Sequence, residues 1–588
     1  MRTLLLLPAL LVAPAAAQSQ GEDAGFPGLA ADRAPRVEIA WNRLYPYGDI
    51  LAQLDQLAAE WPELFSMEVV GHSVEGREMR VYTLNNPATG PAETKPGMWV
   101  DGNVHGNEVQ GSETIVYLAW YLLENFGSNE RVDELLDGSA FYLMPSVNPD
   151  GRDHWFAAGN SASSSRSGVQ PVDSDRDGAF DEDPTDDLDG DGSIVQMRKY
   201  MPGEGDYRLD PDDPRLLVRV PSDSPARGDW VLLGSEGIDN DGDGRLNEDG
   251  RGGYDMNRAW PSLWMPPHAQ FGAGAYPLYW PETRSTARFL IEHTNVAGVQ
   301  SFHNSGGMIL RGPGAEAYGD YPRGDLRAYD ALGKDGERML PFYRYMVIWK
   351  DLYSVFGGFV TWTYEGLGII SFTNEMWSSD RSFPDPSSQR DEFDSFDEKR
   401  HWFNDHLLMG AGFVDWHAYD HPFYGEVEIG GFRKDVGRVP PTFLMEEELH
   451  RNAMFCIRHA EEMPAVTIEE PNVTELGNGV RAIDVVLRNP KEIPTRSEMA
   501  ARKDIGRPDL IHLEGDGIEV LAGGYRSDRF RPERIDLQEH EPERLVRDRG
   551  ISGRGQLRVR WLVRGGGSAT VSFEGEKVRD VRRDFEIQ

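Results

Sequence analysis

Gly97-Met98-Trp99-Val100-Asp101-Gly102-Asn103-Val104-His105-Gly106-Asn107-Glu108 is the stretch on which the reading of this chain turns. It is a mainly apolar run that breaks into His-x-x-Glu, as a buried strand does where it gives way to a turn. A histidine and a glutamate three residues apart, just past a strand end, can point both side chains at one ion. Zinc accepts imidazole nitrogen and carboxylate oxygen, and a catalytic zinc usually has three protein ligands and one place left for water. His-x-x-Glu alone is a weak pattern that a surface turn satisfies as readily. It gains meaning only if the chain supplies a third ligand, a base and a group that grips substrate.

The surroundings alternate between helix and strand. Ile50 to Glu60 carries apolar residues at helical spacing, and Leu64 to Val70 and Met79 to Leu84 read as strands around a turn at Glu75-Gly76. Glu113 to Asn125 predicts a long helix, and Ala140 to Val147 a strand ending at Asn148-Pro149-Asp150-Gly151. Further on, Glu282 to His293 is an amphipathic helix, Val296 to Phe302 a strand closed by His303, and Ile369 to Thr373 a strand just before Glu375. A helix around 397 to 412 and another from Glu446 to Glu462 complete the pattern. Such alternation predicts an α/β domain with helices covering a mixed sheet, in which ligand residues collect at strand ends. From Pro464 the sequence changes to β-type alternation, which predicts a separate small β-sandwich.

Composition sets outer bounds. At 588 residues the chain is too long for one ordinary core. A formal charge of −38 excludes nucleic acid as a partner, because phosphate binding needs a cationic footprint. The single cysteine, Cys456, rules out an intrachain disulfide. Arg2, the apolar run Leu4 to Val12 and Ala15-x-Ala17 have the three parts of a signal peptide, and no later run is long and apolar enough to span a bilayer. The expected order is therefore a signal peptide at 1–17, a flexible lead at 18–40, an α/β domain at 41–463 and the β-sandwich at 464–588. The mature protein is expected to be secreted or periplasmic and to begin near Gln18. Nothing in the sequence speaks to its oligomeric state.

Residues 152–252 interrupt the α/β pattern with a Ser-, Gly- and Asp-rich insertion. Asp173-Ser174-Asp175-Arg176-Asp177-Gly178, with Asp181, repeats as Asp239-Asn240-Asp241-Gly242-Asp243-Gly244, with Asn247, and in a shorter copy as Asp187-Leu188-Asp189-Gly190-Asp191-Gly192. Carboxylates at alternate positions with glycine at the sixth let a loop wrap oxygens around a hard cation such as calcium. The glutamate that closes an EF-hand at the twelfth place is missing: Pro184, Arg198 and Gly250 stand there. These are half loops, read either as calcium sites or as a solvated acidic segment.

Three features converge on the opening stretch. His303 offers a second strand-end imidazole, Glu375 a strand-end carboxylate that could act as general base, and Asn257-Arg258 a planar cation able to grip a carboxylate in two-pronged fashion. Each alone is commoner as ordinary structure. Together they resemble the M14 zinc carboxypeptidases. The resemblance rests on His105-Gly106-Asn107-Glu108, Asn148-Pro149-Asp150-Gly151, Gly253-Tyr254-Asp255-Met256-Asn257-Arg258, His303 in Phe302-His303-Asn304-Ser305, and the stretch Tyr353 to Glu375. That last stretch holds Gly357-Gly358, Trp362-Thr363-Tyr364 and Ser371-Phe372-Thr373-x-Glu375 in ungapped spacing. It covers about residues 41 to 460.

The resemblance implies an eight-stranded mixed sheet flanked by helices and a peptidase acting on peptide or protein C-termini. It implies zinc held by His105, Glu108 and His303, with Glu375 as base toward the attacking water and acid toward the leaving amine. Asp255 would orient a zinc histidine. Asn257 and Arg258 would hold the terminal carboxylate, Tyr353 would close over it, and Val360 would shape the pocket for the last side chain, favouring apolar or aromatic residues. The oxyanion arginine is assigned to Arg198, in Gln196-Met197-Arg198-Lys199. Asn107 departs from the family, where many members carry a substrate-binding arginine in the zinc motif. Two alternatives stand beside an exported zinc carboxypeptidase. One is a peptidoglycan or γ-D-glutamyl peptide hydrolase of the same fold; the other is a catalytically inactive calcium-dependent binding protein.

Overall fold

Met98, Trp99 and Val100 have no accessible surface, and a run buried on both faces is what a central parallel strand requires. The three belong to β3 (Gly97–Gly102) of the computed structural model. It describes residues 34–587 except 158, 160–167, 169–170, 172, 174–175, 251, 253, 384–392, 394, 528–529 and 532–533. The 1–17 signal peptide, most of the 18–40 lead, and Asp175 lie outside the described residues.

The main sheet has eight strands: β1 (Phe65–His72), β2 (Glu78–Leu84), β3, β4 (Ala140–Met144), β5 (Val296–Asn304), β6 (Met308–Arg311), β7 (Arg344–Val347) and β8 (Ile370–Met376). Their spatial order is β1-β2-β4-β3-β5-β8-β6-β7. The four central strands β4, β3, β5 and β8 run parallel; β2 and β6 join them antiparallel on either side, with β1 antiparallel to β2 and β7 parallel to β6. Side chains alternate between two cores, as the two-residue period of a strand demands. Met98 and Val100 join the core beneath α1 (Tyr47–Glu60), α2 (Gln110–Asn125), α4 (Arg323–Met339) and α6 (Thr442–Glu461), while Trp99 joins the one beneath α3 (Pro281–Glu292) and α5 (Phe359–Leu367). Helix α2 crosses the end of β3 at the closest approach the backbone allows. A Cβ on Gly102 would lie 2.9 Å from the Gly111 carbonyl carbon, so glycine at both positions lets the helix start directly behind the His105 turn.

The insertion is more than a set of loops. Strands Gln196–Gly205, Tyr207–Leu209, Leu217–Arg219 and Gly228–Ser235 form a second, six-stranded sheet with the hairpin Phe413–His421/Gly425–Phe432, which joins it through Gln196–Gly205. The Asp-rich copies that begin at Asp173 and Asp239 meet at a bridge between Asp183 and Asp249. Asp181 N–H donates to Asp249 Oδ2 (3.2 Å) and Asn247 N–H to Asp183 Oδ2 (2.7 Å), so equivalent positions make equivalent bonds. After Pro464, two antiparallel sheets enclose a third core running from Val466 to Ile587. Ile493 and Met499 leave that segment to join the core of the α/β region, and the helix Glu498–Lys503 docks there through Asp325, which accepts the N–H groups of Glu498 and Met499 (both 2.9 Å).

Candidate active site

Three neighbouring parallel strands end on the same edge of the sheet, and each delivers one part of the site. Beyond β3 the chain turns at Asn103, whose left-handed backbone (φ 57°) starts the loop. The Asn103 side-chain amide donates to the carbonyls of His105 (2.8 Å) and Gly106 (3.1 Å), and its oxygen accepts from Ser146 Oγ (3.0 Å). That clamp fixes His105 and Glu108. Strand β5 brings His303, and β8 brings Glu375, which lies opposite His303 in the parallel register.

The ligand atoms of His105, Glu108 and His303 lie within 4.8 Å of one another, and all three residues are buried. Glu108 sits between two imidazoles, Oε1 at 3.0 Å from His105 Nδ1 and Oε2 at 2.9 Å from His303 Nδ1. Burial alone would raise the Glu108 carboxyl, but the His105 and His303 rings hold it well below its ordinary range. His105 Nε2 faces Asp255 Oδ1 at 2.9 Å, so the ring's N–H is directed there and Nδ1 keeps its lone pair. The two Nδ1 atoms approach to 3.3 Å. Two imidazole nitrogens and a carboxylate converging on one buried point form a donor set that suits a divalent metal. Behind them, burial pushes Asp101 up to about 6 despite hydrogen bonds from Ser301 Oγ (2.8 Å) and Trp99 Nε1 (2.7 Å).

Asp255 also ties the metal set to the Asn257-Arg258 turn. Its Oδ1 accepts the Asn257 N–H (2.8 Å), and its Oδ2 lies 3.7 Å from Arg258 Nη1. Asn257 Oδ1 accepts the N–H of Phe359 at the start of α5 (2.8 Å), and Gly357 presses on the carbonyl of Arg258, where a Cβ would come within 2.3 Å. Val360, one residue on, is buried in the second core. Tyr353 stands exposed (58%) at the end of the Ile348–Leu352 turn.

Arg198 is not brought to this group, and its assignment as the oxyanion arginine is corrected. It belongs to the second sheet, where Nε donates to Glu428 (2.7 Å) and Nη1 to the Pro214 carbonyl (3.1 Å). Its guanidinium is sandwiched between Trp230 (4.6 Å) and Trp416 (4.2 Å). A cation with its faces stacked and its donors engaged serves the sheet. Among the described residues, Arg438 approaches the metal set, with Nη2 3.8 Å from Glu108 Oε1. It lies on a loop after the second sheet with no motif to mark it.

In the insertion, Asp239, Asp241 and Asp243 form one acidic group. Two others draw in glutamates that the repeat pattern does not reveal: Asp177 and Asp241 with Glu182, and Asp187 and Asp189 with the buried Glu236. Asn247 instead turns its side-chain amide to the Ser235 carbonyl (3.1 Å).

A buried His–Glu–His set at the carboxyl ends of adjacent parallel strands, with a carboxylate on the neighbouring strand, forms a candidate metal centre. The zinc carboxypeptidase family model matches residues 50–194 and 235–396, and the chain belongs to that family, whose members use zinc. Residues 465–586 match a domain of unknown function. Carboxypeptidase B of Astacus astacus is 38% identical over 117 residues, 20% of this chain and 36% of that protein. Carboxypeptidase E of Caenorhabditis elegans is 30% identical over 152 residues, 26% of this chain and 30% of that protein. The chain thus spans about a third of each of these two relatives. The carboxypeptidase A structure from Helicoverpa armigera is 15% identical with a TM-score of 0.43, covering 72% of this chain and 75% of that one. Among the described residues no helix is long and apolar enough to cross a membrane.

Proposed function

We propose that the protein is an exported metallocarboxypeptidase that releases the C-terminal residue of peptides. The observation that carries this reading is Asp255, which joins a buried metal-type donor set to an Asn-Arg pair suited to a carboxylate. His105, Glu108 and His303 would hold zinc, which when bound polarises a scissile carbonyl and makes a water acidic, with a pKa of about 7. Glu375 takes the proton of the attacking water and returns it to the leaving amine. Arg258 and the Asn257 amide receive the terminal carboxylate, since Asn257 Oδ1 is already held by Phe359 N–H and Nδ2 remains to donate. Tyr353 closes over the bound end, and Val360 gives its side chain an apolar neighbour.

The decisive experiment compares peptides with free and amidated C-termini. A carboxypeptidase cuts only the free form; equal cutting of both makes the protein an endopeptidase, and cutting of γ-D-glutamyl muropeptides alone makes it a cell-wall hydrolase. Export rests on the 1–17 pattern, and an N-terminus near Gln18 in secreted material would support it. A calcium role for the insertion rests on Asp187, Asp189 and Glu236. The last is buried, and burial together with the two aspartates raises its carboxyl to about 7. A carboxylate so placed gains more from a cation than a solvated one does.

A further inference from the structure

A cavity of about 1040 Å³ is linked to the metal set through Arg438, which lines it. Ser305, two residues past His303, and Trp377, two residues past Glu375, form its inner wall together with Arg438. Arg438 Nη2 stands 3.8 Å from Glu108, and its carbonyl accepts from Asn304 Nδ2 (3.4 Å). None of Asn257, Arg258, Tyr353 or Val360 lines the cavity. A peptide with its carboxylate on Arg258 and its last amide at the metal has to run its upstream residues elsewhere, and this cavity reaches toward the metal set through Arg438.

The charge of the lining opposes that of the chain. Against a net −38, the cavity presents Arg43, Lys399, Arg400, Arg433, Lys434 and Arg438, with Asp435 as the one acid among its described lining residues. Some of these cations are engaged. Arg433 donates to Ser193, and Lys434 donates to the Trp155 carbonyl. Among the described residues, none of the others has a carboxylate nearer than 3.6 Å. Lys399 lies over Phe383 (4.5 Å), and Arg400 lies over Phe432 (3.8 Å) with Asp397 no nearer than 3.6 Å. Among the described residues Arg438 pairs with Glu108, and its Nε is buried with no acceptor. Cations standing on aromatic walls inside a cavity, with a donor left open beside the metal set, make a receptor for carboxylates on an apolar chain. Arg438 also places a cation next to the zinc motif, where Asn107 carries none.

We propose that this cavity binds the acyl side of the substrate and selects peptides carrying Asp or Glu upstream of the scissile bond, with Arg438 meeting the carboxylate nearest the metal and Lys399, Arg400 and Arg43 those further out. The proposal rests on the carboxypeptidase reading for the direction of the chain.

The test uses full-length, zinc-loaded enzyme and peptide series that share one C-terminal residue and differ upstream by Glu, Ala or Lys. Acidic peptides should exceed lysine peptides in kcat/KM by about tenfold or more at low salt, and the gap should shrink with ionic strength. Lys399→Glu and the exposed Arg43→Glu should each narrow or invert the ratio, and either variant suffices if the other fails to fold. Equal kcat/KM across the three series, or an unmoved ratio in both variants, overturns the proposal. If no peptide is turned over, the carboxypeptidase reading has failed. Binding of the same peptides to the Glu375→Gln protein then decides the cavity's role: tighter, salt-sensitive binding of acidic peptides supports it, and equal binding of acidic and basic ones overturns it.

Discussion

His105 and Asp255 are joined by one hydrogen bond of 2.9 Å, from Nε2 to Oδ1, and the same oxygen accepts the N–H of Asn257. One carboxylate therefore sets the tautomer of a candidate metal ligand and the position of the proposed substrate clamp. Asp255→Ala should weaken zinc binding by about 10- to 100-fold, the usual cost of losing such a partner. It should also raise KM for peptides with a free C-terminus. Chelator competition and steady-state kinetics check both; an unchanged zinc affinity would remove Asp255 from the metal site.

Glu375 lies opposite His303 across paired strands, so its loss should touch chemistry more than metal. Glu375→Gln should retain about one zinc per chain by metal analysis and lose roughly 10²- to 10⁴-fold in kcat. Turnover near that of the unaltered enzyme would transfer the proton to another group.

Gly357 adopts φ +66° with the Arg258 carbonyl 2.3 Å from where a Cβ would sit. Gly357→Ala forces a side chain into the turn that carries the clamp. It should destabilise the protein by roughly 1–3 kcal/mol and raise KM for free-carboxylate peptides. A variant with an unshifted melting temperature and normal KM would show that the turn does not depend on this contact.

The parts of the site that sit at strand ends were the legible ones. His105, His303 and Glu375 each close a short apolar run, and parallel strands that pair must end on one edge. The main sheet, its covering helices and the β-region after Pro464 were legible for the same reason. Arg198 misled because the insertion separates nearness along the chain from nearness in space. Arg438 and Glu236 carried no signal, since a lone arginine in a Gly-Pro-rich loop and a lone glutamate after a strand become informative only once tertiary pairing sets their neighbours. The insertion's two longer strands are largely half-exposed without a regular alternation of buried and exposed positions, and one of them is paired with a hairpin at 413–432, so no run within 152–252 marks them as strands.

Glu236 gives the acidic insertion a measurable signature. Its carboxyl is raised from 4.5 to about 7 by burial, reinforced by Asp189 and Asp187, against the hydrogen bonds it accepts from Val195 and Leu188 N–H. A carboxyl whose folded pKa is raised favours the fold while protonated. Its contribution is complete below about 4.5 and is lost as pH climbs through about 7. Without a divalent cation the melting temperature of this region should therefore fall between those limits. A cation that binds Asp187, Asp189 and ionised Glu236 must displace the proton, so its affinity should rise with pH up to about 7 and then level. Calcium added to zinc-loaded enzyme should accordingly raise the melting temperature more at pH 8 than at pH 5.5, and Glu236→Gln should abolish the difference. Melting curves indifferent to calcium at both pH values would leave the Asp-rich turns as hydrogen-bonded loops and nothing more.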